Sequence, residues 1–226
     1  MNDTIISCND VTKRFVSRGK RTEVLSGVTL SVEAGQIVLI RGRSGTGKTT
    51  LLQILAGLDK PGSGSVEIAG QSIDKFGSKK LTQLRRDNIG FIFQNFNLLP
   101  SWTARENVEA ALIHTKLSRS ERRQKALELL TELGLSDRLD HLPSELSIGQ
   151  QQRVAVARAL VNYPRIVFAD EPTGDVDEET AEAVIDNLVN LVRSRKASLV
   201  VCTHGDFPRK TADKEYILYD GKIAGQ

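Results

Sequence analysis

The stretch GRSGTGKTT, residues 42–50, spaces glycines, a lysine and a threonine so that the backbone can wrap a chain of phosphates. It fits the pattern G-x-x-x-x-G-K-[ST], in which backbone N–H groups point inward at the anion. Lys48 is then expected to contact the β- and γ-phosphates, and the Thr49 hydroxyl to hold Mg²⁺. The residues predicted to bind the nucleotide here are Gly42, Arg43, Ser44, Gly45, Thr46, Gly47, Lys48, Thr49 and Thr50. A glycine-rich turn that binds nothing is the alternative.

A second acidic site follows a hydrophobic segment in RIVFADEPTGDVD, residues 165–177. Asp170 ends the predicted strand, where it could bind Mg²⁺ through water. Glu171 follows directly and could polarise a water aimed at the γ-phosphate. Taken alone, the two acids would as readily begin a surface loop. With the phosphate loop they form a coherent site, and we expect the strands leading to the two motifs to be neighbours in a parallel sheet.

The stretch SELSIGQQQRVAVARAL, residues 144–160, predicts a helix with an unusual start. Ser147 and Gln150 have the spacing of a capping box, so the helix should begin at Ile148. Its positive end would then present Gly149 and free backbone N–H groups, which suit an anion. An ordinary N-capped helix is the alternative.

The remaining pattern alternates strands and helices up to a helical stretch. Strands are predicted over 24–32, 36–40, 66–68, 89–93, 165–169, 197–203 and 215–219, and helices over 49–58 and 178–195. Between 101 and 163 the sequence predicts three helices and no strand, with capping boxes at Thr103/Glu106 and Ser118/Glu121. The predicted architecture is therefore an α/β core interrupted by an all-helical insert over residues 94–163.

Composition excludes several classes of protein. With 31 basic and 28 acidic residues the net charge is +3, and the basic run 119–125 carries Glu121, so no nucleic-acid-binding stripe is predicted. Cys8 and Cys202 match no metal-ligand spacing and are predicted to be buried, reduced thiols. No signal peptide is apparent at the start, and the longest apolar runs have the length of strands, so any membrane role should act through a partner.

The motifs together resemble the nucleotide-binding subunits of ABC transporters, over essentially the whole chain. In the family's order they are Walker A at 42–49, the Q-loop Gln94, the signature LSIGQ at 146–150, Walker B with Asp170 and Glu171, the D-loop ending at Asp177, and the switch His204. Phe15 stands where the family places an aromatic ring on adenine, with a core aromatic as the alternative. Two positions depart from the pattern: Ile148, where the family commonly has Gly, and Gly205, where Asp is usual.

The resemblance implies a P-loop NTPase (RecA-like) core with N-terminal antiparallel β-strands and an inserted α-helical subdomain, the ABC ATPase fold. One domain would span 1–226, with 1–93 and 164–226 as the core and 94–163 as the insert. ATP and Mg²⁺ are the implied cofactors, with Thr49, Gln94 and Asp170 at the metal. The implied catalytic residues are Glu171, His204, Lys48 and Gln94.

In the family two subunits pack head to tail on ATP, and the signature of each faces the γ-phosphate held by the other. The resemblance therefore assigns Ser147, Gly149, Gln150 and Asp177 to the partner's nucleotide. The implied partners are a second copy of the chain and an integral membrane permease, with no nucleic acid. The implied location is cytoplasmic, on the inner face of the membrane through the permease.

Three functions stay open at this point: a transporter motor, a scaffold that signals across a membrane complex, and a soluble ABC ATPase acting on nucleic acid or ribosomes. The last usually has a long coiled-coil insertion or two fused copies, which this sequence lacks. NFNLLPSWTARENV resembles the group of lipoprotein-release, macrolide-export and cell-division ATPases. The apolar residues after Gln94 would suit a groove for a permease helix or, equally, the core under the insert; they are Phe96, Leu98, Leu99, Pro100 and Trp102.

Overall fold

The computed structural model describes residues 4–17, 19–173, 178–205, 207 and 211–224. Its elements in chain order are β1 (Thr4–Ser17), β2 (Lys20–Glu33), β3 (Ile37–Arg41), α1 (Lys48–Leu55), β4 (Ser63–Ile68), β5 (Gln71–Ser72), α2 (Ser78–Asn88), β6 (Ile89–Ile92), α3 (Ala104–Glu109), α4 (Arg119–Glu132), α5 (Ile148–Leu160), β7 (Ile166–Asp170), α6 (Glu178–Ser194), β8 (Ser198–Thr203), β9 (Lys214–Tyr219) and β10 (Lys222–Ala224). Short 3₁₀ turns lie at Ala110–Leu112 and Pro143–Glu145.

Two sheets carry the fold. An antiparallel sheet has the order β2-β1-β4-β5, and a six-stranded sheet has the order β10-β9-β3-β8-β7-β6. In the second sheet the neighbours from β9 to β6 are all parallel, and only β10 runs antiparallel at one edge. The predicted α/β class with N-terminal antiparallel strands is confirmed.

The strand order corrects one expectation. The phosphate-loop strand β3 and the acidic strand β7 are not neighbours, because β8 pairs with both of them. Chain order predicts that two strands are parallel, but the crossover connections decide which strand lies between them. The strand β8, which ends next to His204, therefore occupies the place between the two motifs.

The central strands are buried on both faces, as parallel strands covered by helices must be. Alternate residues face two separate cores. Leu39, Val167 and Val201 point to the side of α3 to α6, while Ile40, Phe168 and Val200 point to the side of α1 and the antiparallel sheet. The uninterrupted apolar runs in the sequence follow from this two-sided burial.

Only helices and 3₁₀ turns are found in the described structure between β6 and β7, as predicted. All three predicted capping boxes form, at Thr103, Ser118 and Ser147, and α5 begins at Ile148. Each box satisfies backbone N–H groups that the first turn of a helix leaves without partners. The division into a core and an inserted subdomain stays a prediction.

Four elements were not predicted: β1, β5, α2 and β10. In α2 the sequence SKKLTQLRRDN has only Leu81 and Leu84 as buried apolar residues, so its helical periodicity is weak. In β1 the pairing with β2 shifts register near Asp10, which has φ 51° and breaks the alternation of the strand. Among the described residues, no helix combines the length and apolar character needed to cross a bilayer.

Candidate functional site

The phosphate loop connects the buried end of β3 to α1, and its glycines are required by close backbone approaches. A Cβ on Gly42 would lie 2.5 Å from the carbonyl oxygen of Leu218. Gly47 has φ 99°, and a Cβ there would lie 2.8 Å from the carbonyl oxygen of Val24. No side chain fits these distances, so the loop can take its phosphate-binding shape only with glycine at both positions.

Lys48 is buried at the start of α1, with 6% of its surface exposed, and its ammonium group has three oxygen partners among the described residues. It donates to the carbonyl oxygens of Gly42 at 2.9 Å and Arg43 at 3.2 Å. It also lies 3.3 Å from Oε1 of Glu171. An ammonium group held by loop carbonyls and one carboxylate can exchange these partners for phosphate oxygens at little cost in desolvation.

Glu171 contacts both Lys48 and His204, the residue that follows β8. Its Oε2 lies 2.8 Å from Nδ1 of His204 and accepts a hydrogen bond from the His204 backbone N–H at 3.2 Å. The Glu171 N–H donates to the carbonyl oxygen of Cys202 at 2.8 Å, and its φ is 47°. A left-handed conformation costs a non-glycine residue about 1–3 kcal/mol, so the surrounding contacts must hold it there.

Asp170 has the environment expected of a metal-binding carboxylate. It is 4% exposed, and its Oδ1 has no hydrogen-bond partner among the described residues. Burial raises the pKa of Asp170 above its usual value; the nearby Thr49 side chain opposes this and the charge of Glu171 adds to it. A buried carboxylate with an unsatisfied oxygen fits a divalent cation or its bound water.

Lys48, Glu171 and His204 line a cleft of about 240 Å³, and Asp170 is not among the residues of its described lining. Its lining consists of Val24, Ser44, Gly45, Gly47, Lys48, Thr49, Thr50, Gln94, Glu171 and His204. The structure thus brings Gln94, Glu171 and His204 from three separate motifs to the phosphate loop. Val24 was not foreseen, because a strand valine carries no chemical signal in the sequence.

Other predicted residues lie outside this lining. Gly42, Arg43 and Thr46 belong to the phosphate loop, but they are not among the residues that line the described cleft. Phe15 is 45% exposed on β1, with the Lys13 ammonium 5.3 Å from its ring centroid. The alternative that Phe15 is a core aromatic is therefore wrong.

The signature residues stand at the N-terminus of α5. The Ser147 hydroxyl accepts from the Gln150 N–H at 3.3 Å, and the Gln150 side chain accepts a hydrogen bond from the Ser147 N–H at 2.9 Å. Ile148 is 49% exposed. Ser147, Gly149 and Gln150 are absent from the described lining of the cleft. Asp177 lies outside the described residues.

The two cysteines are buried thiols. Burial raises the pKa of Cys8 to about 11, and it raises that of Cys202 well above the ordinary value. A thiol with a raised pKa is a poor nucleophile. Both residues are therefore packing residues, as their spacing predicted, and Cys202 lies directly behind the cleft with its Sγ 3.7 Å from the Lys48 carbonyl oxygen.

The sequence did not predict the contacts of two polar side chains in the helical region. Arg158 on α5 and Asn107 on α3 both bind the backbone of the segment after Gln94. An arginine within an alanine-rich helix and an asparagine preceding a valine give no signal of such a contact, because the partners are backbone atoms, which lie far away in sequence for Arg158 and in the preceding loop for Asn107.

Comparison with known proteins gives the class to which this fold and cleft belong. Residues 25–174 match the ABC transporter family. The chain belongs to that family, and it is an ABC ATPase, an enzyme that binds and hydrolyses ATP.

Two relatives within this family have names that state their transport systems. The chain is 42% identical over 220 residues to the lipoprotein-releasing system ATP-binding protein LolD of Geobacter metallireducens, covering 97% of this chain and 98% of that protein. It is 43% identical over 219 residues to the macrolide export ATP-binding/permease protein MacB of Brucella melitensis, covering 97% of this chain but only 34% of MacB. The chain thus spans about a third of the length of that relative.

Solved structures agree with the fold. The dimeric structure of MJ0796, described as a bacterial ABC transporter cassette, has a TM-score of 0.90 and 41% identity, with 96% of each chain covered. A second dimeric structure of MJ0796, in a post-hydrolysis state bound to ADP and Pi, has a TM-score of 0.90 and 40% identity, again with 96% of each chain covered.

The environment of Asp170 leads to a prediction that separates stability from activity. Because its pKa is raised, the folded state disfavours the carboxylate, and the free energy of unfolding falls as pH rises above the unfolded-state pKa. Asp170→Asn removes this cost. In EDTA at pH 7 we expect its melting temperature to rise by about 2 °C, while hydrolysis of ATP with Mg²⁺ is lost.

Asp213→Asn is the matched control, because Asp213 accepts hydrogen bonds from Arg193 and the Ile37 N–H, and its pKa is lowered. That variant should melt at a lower temperature. Calorimetry from pH 4 to pH 8 measures both variants. A destabilised Asp170→Asn at pH 7 would show that the Asp170 carboxylate is satisfied without a cation.

Proposed function

We propose that this chain is the motor subunit of an ABC transporter, which closes head to tail with a second copy on two ATP and drives a separate membrane permease. One observation carries the proposal: the phosphate-loop cleft holds Lys48, Glu171 and His204, while the capped N-terminus of α5 lies outside its lining. The N-terminus of a helix suits an anion, and because this one is not part of the described cleft lining, a second chain would have to supply it to a nucleotide bound there.

In the proposed reaction Lys48 leaves the Gly42 and Arg43 carbonyls and binds the β- and γ-phosphates. Glu171, released from the lysine, polarises the attacking water. His204 lies against Glu171, from where it can hydrogen-bond the γ-phosphate and orient the carboxylate as charge develops.

Mg²⁺ would be held by Thr49, Asp170 and Gln94, and it would supply positive charge to the phosphate oxygens. Thr49 and Gln94 both line the cleft, and the buried Oδ1 of Asp170 has no hydrogen-bond partner among the described residues. These oxygen-bearing side chains are the ligand types that Mg²⁺ prefers.

Phe15 would stack on adenine at the edge of the site, and its exposure leaves the ring available for this contact. Ser147, Gly149 and Gln150 would meet the γ-phosphate bound by the second copy, together with Asp177. Ile148 differs from the family's usual glycine, yet it is the N1 residue of an ordinary helix, so the phosphate-facing backbone keeps its shape.

The permease would dock in the groove between α2 and the helical region. This groove has a volume of about 920 Å³ and is lined by Ser78, Lys79, Thr82, Gln83, Arg85, Arg86, Ile89, Gly90, Phe91, Ala111, His114, Arg158, Ala159 and Asn162. Its described lining contains four Lys or Arg residues and no carboxylate. A partner helix with acidic and apolar side chains would complement it.

The apolar residues after Gln94 could form core or a surface for a permease helix, and the described residues include members of both kinds. Leu98 packs against the core, whereas Leu99 and Trp102 are 41% and 37% exposed. The exposed members extend the apolar surface that a partner could use.

The similarity to LolD over its full length supports a permease of the lipoprotein-release type, and the similarity to MacB supports one of the macrolide-export type. A scaffold that signals across a membrane complex without moving a solute is the second candidate, because the same ATP-driven closure would serve it. A soluble role on nucleic acid is third, and the basic groove is the surface that favours it.

Glu171→Gln tests the motor function. The amide keeps the shape of the side chain but cannot polarise water, so ATP should still bind while hydrolysis falls by a factor of at least about 100. The variant should accumulate as an ATP-bound dimer in size-exclusion chromatography. Lys48→Ala, which loses the phosphate contact, is the control that should stay monomeric. A Glu171→Gln protein that remains monomeric with ATP, alone and with its membrane partner, contradicts the head-to-tail dimer.

The signature contact is tested by comparing Gly149→Asp with Ile148→Gly. A carboxylate introduced at position 149 would lie against the partner's γ-phosphate, a repulsion of about 4 kcal/mol at roughly 4 Å and an effective dielectric of about 20. Ile148→Gly weakens only the helix start, by about 1 kcal/mol. Hydrolysis at saturating ATP should therefore be lost in the first variant and largely kept in the second. The reverse result would show that residue 148 makes the phosphate contact.

Charge reversal tests the groove. Lys79 lines it, whereas the adjacent Lys80 lies outside the described lining and stacks on Phe76 with its ammonium 3.7 Å from the ring centroid. Lys79→Glu should reduce cosedimentation with membranes of the native host at least about threefold, and Lys80→Glu should not. Thermal melts establish that both variants are folded. Equal retention of the two variants argues against docking in this groove.

A further inference from the structure

We propose that Arg158 is a positioning residue for the reaction: through the backbone of Phe96 and Asn97, it lets helix α5 fix the place of Gln94 in the nucleotide cleft. This inference rests on the function proposed above. It assigns a role to a residue that belongs to none of the six sequence motifs, and it makes α5 the physical link between the signature and the Q-loop glutamine.

Among the described residues, Arg158 donates hydrogen bonds only to backbone carbonyls. Its Nη1 donates to the carbonyl oxygen of Asn97 at 2.6 Å, and its Nη2 donates to the carbonyl oxygen of Phe96. No carboxylate pairs with it in the described part of the chain. Arg158 is half-buried, and partial burial lowers the pKa of its guanidinium group below the ordinary value. Two charge-assisted hydrogen bonds from one planar guanidinium group restrain both carbonyls at once.

The two carbonyls belong to residues that need such a restraint. Phe96 has φ 57° and Asn97 has φ 47°, so two consecutive non-glycine residues are left-handed. Each costs about 1–3 kcal/mol, and the conformation persists only where surrounding contacts fix it. Arg158 supplies these contacts on the side of α5.

Asn107 holds the far end of the same segment from α3. The Leu99 N–H donates to its Oδ1 at 2.7 Å, and its Nδ2 donates to the carbonyl oxygens of Leu99 at 3.1 Å and Trp102 at 2.9 Å. Asn107 is fully buried. The backbone after Gln94 is thus fastened to the helical region at two places, and Gln94, two residues before Phe96, is the part that reaches the cleft.

Helix α5 presents the signature residues at its N-terminus and Arg158 in its last turn. Among the signature residues, Ser147 and Gly149 are proposed to meet the partner's nucleotide. A helix moves as a rigid rod over this length, so a displacement at the signature reaches the carbonyls of Phe96 and Asn97. Arg158 also lines the α2 groove, which places the same guanidinium next to the proposed permease contact.

A double-mutant cycle between Arg158 and Gln94 tests the proposal. Arg158→Met keeps much of the length of the side chain and removes the hydrogen bonds. In the otherwise wild-type chain it should lower kcat by about tenfold with little change in the KM for ATP, because Gln94 is misplaced while the phosphate loop is intact. In a Gln94→Ala background the same change should lower kcat by less than about twofold, because the group being positioned is already absent.

Arg153→Met is the matched control. Arg153 lies on the same helix and also donates to carbonyls, those of Leu133 at 3.1 Å and Gly149 at 3.4 Å, but not to the segment after Gln94. Its effect on kcat should be the same with and without Gln94. Arg158→Lys keeps the charge and one donor, so it should recover part of the lost kcat, and it takes the place of Arg158→Met in the cycle if that variant does not fold.

Independent, multiplying effects of Arg158 and Gln94 would overturn the proposal and leave Arg158 as a stability residue only. A Glu171→Gln chain that stays monomeric with ATP, alone and with its membrane partner, would instead contradict the proposed function. The kinetic cycle and the size-exclusion measurement therefore distinguish the two failures.

Discussion

The nucleotide cleft depends on the register of β8 between β3 and β7. Thr203 pairs with Arg41 and Cys202 with Asp170, so the three strands end at the same edge of the sheet. The Cys202 carbonyl then accepts the Glu171 N–H, and His204 follows directly after the strand. A shift of one residue would turn every side chain of β8 to the opposite core, so the packing of β8 on both faces fixes the geometry of the site.

The cleft contains several features that are unfavourable for the stability of the folded protein. A lysine is buried against carbonyls and a carboxylate, Asp170 has an oxygen without a described partner, and Glu171 is held left-handed. Each is unfavourable by itself. Such features gather at sites where a ligand supplies the remaining interactions, which agrees with the ligands proposed for this cleft.

The helical region supports the cleft mainly by holding the backbone of the segment that follows Gln94. Arg158 and Asn107 hold a strained segment that follows Gln94, the residue that enters the cleft, and α5 presents the signature at its other end. The basic groove beside α2 opens onto the same arginine. ATP, a second copy and a membrane partner would thus all act on one rigid helix, which gives a short physical route between the three sites.

The sequence by itself determined the local features: the glycine loop before α1, the helix starts at Thr103, Ser118 and Ser147, and the apolar runs of the central strands. These depend on conformational limits and hydrogen bonds within a few residues. It missed the charged helix α2, whose short apolar face forms only against the sheet, and it misplaced β3 beside β7. Only the tertiary structure decided the position of β8, the contact between Lys48 and Glu171, and the hydrogen bonds of Arg158, because strand order and bonds to distant carbonyls arise from packing and carry no local signal.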